Sequence, residues 1–151
     1  MMHPITKGLL AGAAGTLALD VVTYGDMLLR GRPSSSIPAE VAGRLAGRVR
    51  IPLGGGEEKE NRTQAAGALM GYATGVGAGV AYGLFGHRRP ALSGWTAGPL
   101  LGAAVMAGAN APATVLRLTD PASWDLASWV SDVVPHLVYG LTTTAAYRAM
   151  R

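Results

Sequence analysis

Four polar residues in otherwise apolar parts of the chain carry the side chains that proton or cation chemistry requires. They are Asp20, Asn110, Asp132 and His136. A carboxylate beside an imidazole can exchange a proton near neutral pH, because the ordinary pKa of histidine is about 6.5. In this interpretation Asp20 and His136 share a proton or an ion, Asp132 relays it outward and Asn110 orients the group. The four residues are therefore a candidate polar or ion site.

A purely structural interpretation of the same residues stays open. Asp20 and His136 would then satisfy one another, or Asp20 would bond a neighbouring threonine or tyrosine, and Asp132 would be an interfacial residue near a helix start. One histidine with two scattered aspartates is a thin ligand set for zinc or iron. The chain also has no cysteine. No metal site, cofactor or catalytic residue is predicted.

The elements that must position these residues follow from where the charges fall. Charged residues are 15% of the chain, against about 25% in ordinary soluble domains. Twenty of the 22 charged residues lie outside four long apolar stretches. A soluble helical protein spreads charge along every helix, since each helix needs a hydrated face. Segregation along the chain instead indicates that some segments lie in lipid.

The sequence therefore predicts one all-α integral membrane domain over residues 1–151 with four transmembrane helices. A helix needs about 20 apolar residues to cross a bilayer. The first apolar stretch resumes after Asp20 and shows no cleavage site, which favours an uncleaved span over a signal peptide. The predicted spans are approximately 5–29, 64–86, 93–116 and 129–148. At about 1.5 Å per residue, Asp20 and His136 then lie at the same depth, in the half of the bilayer nearer the first loop.

The loop 30–62 is predicted to contain a short amphipathic helix between Ile37 and Val49. Its apolar residues recur every four positions, and Arg44 and Arg48 take another face. With Arg50 they are predicted to lie at the lipid surface, although packing on the protein's own loops explains the pattern equally well. The segment 53–60 after it is expected to be a flexible, solvated linker.

Glycines recur in a strict register along two of the predicted spans. Such spacing gives a flat groove that another helix can approach closely in lipid. The pattern predicts a helix–helix interface, and its partner is either another helix of this chain or another copy. The helix-packing residues are Gly67, Gly71, Gly75, Gly79 and Gly83 on the second span, and Gly94, Gly98 and Gly102 on the third.

Basic residues give the orientation. Eight lysines and arginines lie on the side of the first loop and five on the side of the termini, so the positive-inside rule places loop 30–62 in the cytoplasm. The net charge of +4 comes from residues at membrane edges, where anionic lipid explains it better than nucleic acid does.

The N-terminal third carries a resemblance. The run from Gly8 to Thr16 leads to Asp20, and Arg30-Gly31-Arg32-Pro33-Ser34 follows the first span. These residues resemble small four-helix membrane proteins of actinobacteria that have no assigned activity. The resemblance implies topology and a bacterial cytoplasmic membrane, and implies no functional residues.

The function predicted from these features is non-enzymatic. The chain would be a compact four-helix bundle that acts through helix packing, as a homo-oligomer or as an accessory subunit of a larger membrane complex. Its partners would be the lipid bilayer and itself or another membrane protein. The alternative is a small homo-oligomeric channel or proton-coupled transporter that uses Asp20, Asp132 and His136. A membrane enzyme is the weakest of the three interpretations.

Overall fold

A computed structural model describes residues 2–85 and 94–150. Over these residues the chain is helical with no strand, which confirms the all-α prediction. The end of the predicted span 64–86 and the start of the predicted span 93–116 lie outside the described residues. The long helices are α1 (Pro4–Arg30), α3 (Gly56–Phe85), α4 (Gly94–Val115) and α5 (Leu126–Ala149); α2 (Ile37–Arg48) and a 3₁₀ turn (Pro121–Ser123) lie between them.

Local signals explain both ends of α1. His3 caps the first turn by accepting a hydrogen bond at Nδ1 from the Ile5 backbone N–H at 3.3 Å, and Pro4 takes a first-turn position that needs no N–H donor. At the other end Gly31 adopts φ +63°, the left-handed conformation that glycine enters without a steric penalty.

The helix α3 begins at Gly56, so the prediction of a flexible linker over 53–60 is wrong for its second half. Glu57 and Glu58 lie in the first turn, where the helix dipole favours negative charge. Glu58 also forms a 2.6 Å salt bridge with Arg62, one turn later. These contacts extend α3 eight residues before the predicted span.

The helix α5 also starts earlier than the predicted residue 129. The Asp125 carboxylate accepts a hydrogen bond of 2.7 Å from the Ser128 backbone N–H and so caps the helix. Leu126, Ala127 and Ser128 are thereby added before Trp129. The cap lies next to the 3₁₀ turn that leads out of α4.

The four long helices form a ring in which α1 contacts α3 and α5, and α4 contacts α5 and α3. The short helix α2 packs on α3 and touches α4. Tyr139 fills the centre of the ring with no exposed surface. Its hydroxyl donates to the Gly75 carbonyl oxygen of α3 at 2.6 Å, and the Tyr147 hydroxyl donates to the Gly83 carbonyl oxygen at 3.2 Å.

Two helices, α1 and α3, are long and apolar enough to cross a membrane by length and composition. The helix α4 has Pro99, Pro112 and Asn110 in its sequence, and α5 has Asp132 and a run of threonines. These residues lower the hydropathy of both helices. The structure thus identifies two candidate spans among the described residues, and four spans stay a prediction.

Candidate functional site

Three of the four predicted polar-site residues come together between α4 and α5. Asp132 and His136 are one turn apart on α5, and Asn110 reaches them from α4 because the two helices run antiparallel. The Asn110 side-chain amide donates to Asp132 Oδ2 at 2.6 Å. His136 Nδ1 lies 3.3 Å from Asp132 Oδ1. We call Asn110, Asp132 and His136 the polar cluster.

The hydrogen bonds of the polar cluster fix the histidine tautomer. His136 Nδ1 lies 2.7 Å from the Asp132 backbone carbonyl oxygen. A carbonyl oxygen can only accept, so Nδ1 carries the hydrogen, and Nε2 holds the lone pair when the ring is neutral. Asn110 is held in turn by a 3.1 Å bond to the Met106 carbonyl oxygen. The cluster therefore combines an oriented carboxylate with an imidazole whose Nε2 can take up a proton.

The fourth residue, Asp20, lies beside a different side chain, which is Tyr72 of α3. Asp20 does lie at the level of His136, because Gly15 of α1 meets Tyr139 and Arg30 bonds Ser131. The structure therefore places Asp20 and His136 at one level with different neighbours, and the exchange between them stays a prediction.

The glycine register joins helices within the chain. We call the contact of Gly8 and Gly12 with Gly75, Gly79 and Gly83 the α1/α3 seam. There a methyl group added at Gly79 would overlap the backbone of α1. Such contact requires glycine, because any side chain would hold the two backbones apart.

A second seam joins α4 to α5. Gly98 and Gly102 lie against Leu141 and His136, and Gly140 packs on the Gly98 carbonyl. We call this contact the α4/α5 seam. The surroundings of Gly94 lie outside the described part of the chain. The sequence did not say which helix the glycines contact. For the glycines of the two seams it is another helix of the same chain.

Two glycines of the α3 register do not belong to the α1/α3 seam. Gly67 packs on α2, where an added Cβ would lie 2.7 Å from the Pro38 carbonyl carbon. Gly71 has nothing within 4 Å of an added Cβ and is exposed. The five glycines in register thus serve three different surroundings, which their common spacing does not reveal.

The sequence interpretation missed the tyrosines. Tyr139 and Tyr147 reach across the ring to glycine carbonyl oxygens of α3, and Tyr72 lies beside Asp20. One signal could have found the first two. They are eight residues apart, as are their acceptors Gly75 and Gly83, so parallel helices bring both pairs into register.

The amphipathic helix α2 packs on protein through part of its apolar stripe. Val41 and Ala42 are buried, whereas Leu45 and Val49 stay exposed. The buried residues of the stripe thus pack on protein, and contact of the exposed residues with lipid stays a prediction. The three arginines predicted at the lipid surface, Arg44, Arg48 and Arg50, are exposed.

The charges near the end of α1 form their own group. Asp26 binds Arg30 at 2.7 Å and Arg32 at 2.6 Å, and Arg30 also bonds Ser131 of α5. Among the described residues no group of three or more histidine, aspartate or glutamate side chains could hold a metal ion.

No protein-family model matches this chain, and no curated protein or solved structure matches it either.

Proposed function

We propose that this chain is an integral membrane protein of the bacterial cytoplasmic membrane, with α1, α3, α4 and α5 as its four spans. The observation that carries the proposal is the distribution of side chains by size. The interior holds mostly glycine, alanine, threonine and tyrosine, with Val41 and Val105, and most of the large aliphatic side chains are exposed. Leu17 is 66% exposed, Leu29 87% and Trp95 84%.

A lipid environment accounts for this distribution. Soluble monomers rarely expose large contiguous apolar surfaces. Only 28% of the apolar window of α1 and 17% of that of α3 is buried, whereas a core helix of a soluble protein would be mostly buried. Lipid would cover the remaining surface, and backbone contacts between glycines supply the close packing that holds membrane helices together.

The lengths of α4 and α5 support their assignment as spans. With 22 and 24 residues, they extend about 33 and 36 Å at 1.5 Å per residue. The hydrocarbon core is about 30 Å thick. The helices α4 and α5 pack in one ring with α1 and α3. The basic residues of the first loop orient that loop toward the cytoplasm.

Extraction of native membranes at alkaline pH tests this placement. The full chain should stay in the membrane pellet, and cysteines introduced at Gly55 and Ala122 should react from the cytoplasmic face only. Recovery of the chain in the supernatant would refute membrane integration. Labelling from opposite faces would refute the even number of spans between the two loops.

Within the membrane we propose a non-enzymatic role through helix packing, as a homo-oligomer or an accessory subunit. Because the two seams lie inside the chain, a partner must contact an outer face. Ala73, Gly77 and Ala81 are exposed at four-residue spacing on α3, and nothing lies within 4 Å of a Cβ added at Gly77. Small residues at this spacing allow a further helix to approach.

The test compares Gly77→Leu with Gly108→Leu, an equally open position on α4. Gly77→Leu should reduce the native mass in mild detergent, or release a co-purifying subunit, with unfolding temperature unchanged. Gly108→Leu should leave the assembly intact. A wild-type chain that runs as a monomer with nothing bound would refute the packing role.

The polar cluster supports a second candidate, a proton-coupled channel or transporter. Ionisable groups within a span are costly and by default suggest function, and here they are hydrogen-bonded across two helices. His136→Ala should abolish proton flux in proteoliposomes. Asp20→Asn serves as a control because Asp20 lies beside Tyr72 and outside the hydrogen bonds of the polar cluster. Absence of flux in the wild-type chain would refute this candidate.

A further inference from the structure

A basic cavity lies between α2 and the carboxyl end of α4. It has a volume of about 520 Å³ and is lined by Arg44, Arg48 and Arg117, with Gly43 and Gly47 on the side of α2. This volume falls within the range of about 300–1,000 Å³ that small-molecule sites occupy. Two arginines of α2 and one that follows α4 thus share one space that is large enough for a ligand.

The three guanidinium groups have no partner within the described part of the chain, which includes all nine carboxylates. Other arginines are paired: Arg30 and Arg32 bind Asp26, and Arg62 binds Glu58. Each guanidinium presents five N–H donors in a planar fork that fits a phosphate group. The cavity is therefore lined by unused donors for an anion.

The backbone at Arg117 is a second, independent observation. Arg117 has φ +56° and occupies the left-handed position that ends α4, where its N–H donates to the Thr114 carbonyl oxygen at 3.0 Å. Glycine is the usual residue there, and α1 ends with Gly31 in the same conformation. A glycine-rich chain thus places a bulky arginine where its backbone favours glycine, and that arginine lines the cavity.

The charge of the cavity favours an anion despite the two helix ends nearby. The carboxyl end of a helix carries about half a negative charge, so α2 and α4 together contribute about one. Three guanidinium groups outweigh that contribution. Glu40, one turn before Arg44, is occupied by a 2.7 Å hydrogen bond from the Ser36 hydroxyl.

The geometry points to the phosphate group of an anionic phospholipid as the ligand. Val115, which is 76% exposed, and Leu116 form an apolar wall beside the guanidinium groups. Acyl chains would lie along this wall, which a soluble phosphate would not use. Basic pockets beside transmembrane helices bind anionic headgroups in this way. The inference rests on the membrane placement proposed above.

The experiment titrates purified full-length chain in mild detergent with phosphatidylglycerol or phosphatidylcholine of identical acyl chains, and counts bound lipid by native mass spectrometry. Phosphatidylglycerol should bind preferentially. Arg117→Gly should weaken it about tenfold, as expected for one charge-assisted contact. Unfolding temperature should not fall, because glycine suits the backbone at this position.

Arg50→Gly is the matched control. Arg50 also has positive φ, at +58°, and ends α2, but it does not line the cavity. The change Arg50→Gly removes the same charge as Arg117→Gly and should leave phosphatidylglycerol binding within about twofold of the wild-type value. Replacing Arg44 and Arg48 together by glutamine should abolish the preference for phosphatidylglycerol. Arg117→Lys should keep part of the binding that Arg117→Gly loses.

Three outcomes would overturn the inference. Equal binding of the two lipids, or equal loss in Arg117→Gly and Arg50→Gly, would show that no specific site exists. Displacement of phosphatidylglycerol by millimolar inorganic phosphate would assign the cavity to a soluble phosphate. Recovery of the chain outside the membrane pellet would instead refute the proposed placement, whereas a membrane-embedded chain without lipid preference refutes the lipid site alone.

Discussion

The α1/α3 seam and the α4/α5 seam share a plan and differ in chemistry. Each joins two antiparallel helices through glycines at the end near the chain termini, and each has polar side chains toward the first loop. In the first seam the polar end is Asp20 beside Tyr72. In the second it is the polar cluster, which contains a histidine.

This difference separates packing from proton chemistry. Histidine ordinarily changes charge between about pH 5 and 8. The α4/α5 seam therefore contains a side chain suited to proton transfer, whereas the polar end of the α1/α3 seam, Asp20 beside Tyr72, contains no histidine.

The largest effect is expected from Gly79→Ala, which breaks the α1/α3 seam. The added methyl group would overlap the backbone of Gly8 and Gly12, and overpacking typically costs about 1–3 kcal/mol. The free energy of unfolding in detergent should fall by about this amount. Gly71→Ala, at the open position of the same register, should leave it unchanged or raise it. Equal effects of the two changes would contradict the assigned seam.

Gly140→Ala is the corresponding change in the α4/α5 seam. Its methyl group would meet the Gly98 carbonyl and the backbone of Gly102, so a loss of similar size is expected. A much smaller loss would show that the α4/α5 seam is looser, as a helix pair that moves during transport requires.

Asn110→Leu breaks the polar end of the α4/α5 seam. It removes the 2.6 Å bond to Asp132, and bonds between membrane helices contribute about 1–2 kcal/mol in model peptides. Unfolding free energy should fall accordingly. Tyr72→Phe makes the equivalent change in the other seam and should cost less, because Tyr72 is 48% exposed. The reverse order would assign the stronger polar contact to α1 and α3.

Tyr139→Phe tests the connection between the seams. The Tyr139 hydroxyl bonds the Gly75 carbonyl oxygen from the centre of the ring. The ring of a phenylalanine keeps the packing, so the loss should be about 0.6 kcal/mol, the average for a hydrogen bond between membrane helices. Unfolding of the variant in detergent measures it, and Tyr147→Phe should cost no more, since its bond is longer.

The sequence reveals these seams only in part. Glycine spacing identifies a helix face that must be approached closely, but helical periodicity does not say which helix approaches. For that reason Gly67, Gly71 and Gly75 share a register and have three different surroundings. The pairing of Asp132 with His136 follows from their spacing, whereas the assignment of Asp20 to Tyr72 depends on how α1 and α3 are rotated.

Local capping explains the remaining differences. The early start of α3 depends on Glu58 and Arg62 outweighing the flexibility of the glycines before them. The early start of α5 depends on one side chain, Asp125. Both signals are visible in the sequence, but they lie outside the apolar stretches whose hydrophobicity predicts the ends of the spans.

The smallest expected effect is a pH dependence at that cap. Hydrogen bonds from the Ser128 hydroxyl and backbone N–H, with the charge of Arg30 nearby, lower the pKa of Asp125 below its ordinary value. Because the folded pKa is the lower one, the stabilisation is complete above the unfolded pKa of about 3.9 and is lost as pH falls through the folded pKa. Asp125→Asn keeps the cap without the charge, so its unfolding temperature should change less below pH 4 than that of the wild type. Asp125 caps α5, which belongs to the α4/α5 seam. When the aspartate and asparagine chains both also carry Gly79→Ala, the difference between their unfolding temperatures should therefore be unaltered. A change in Gly79→Ala would mean that the two seams are energetically coupled.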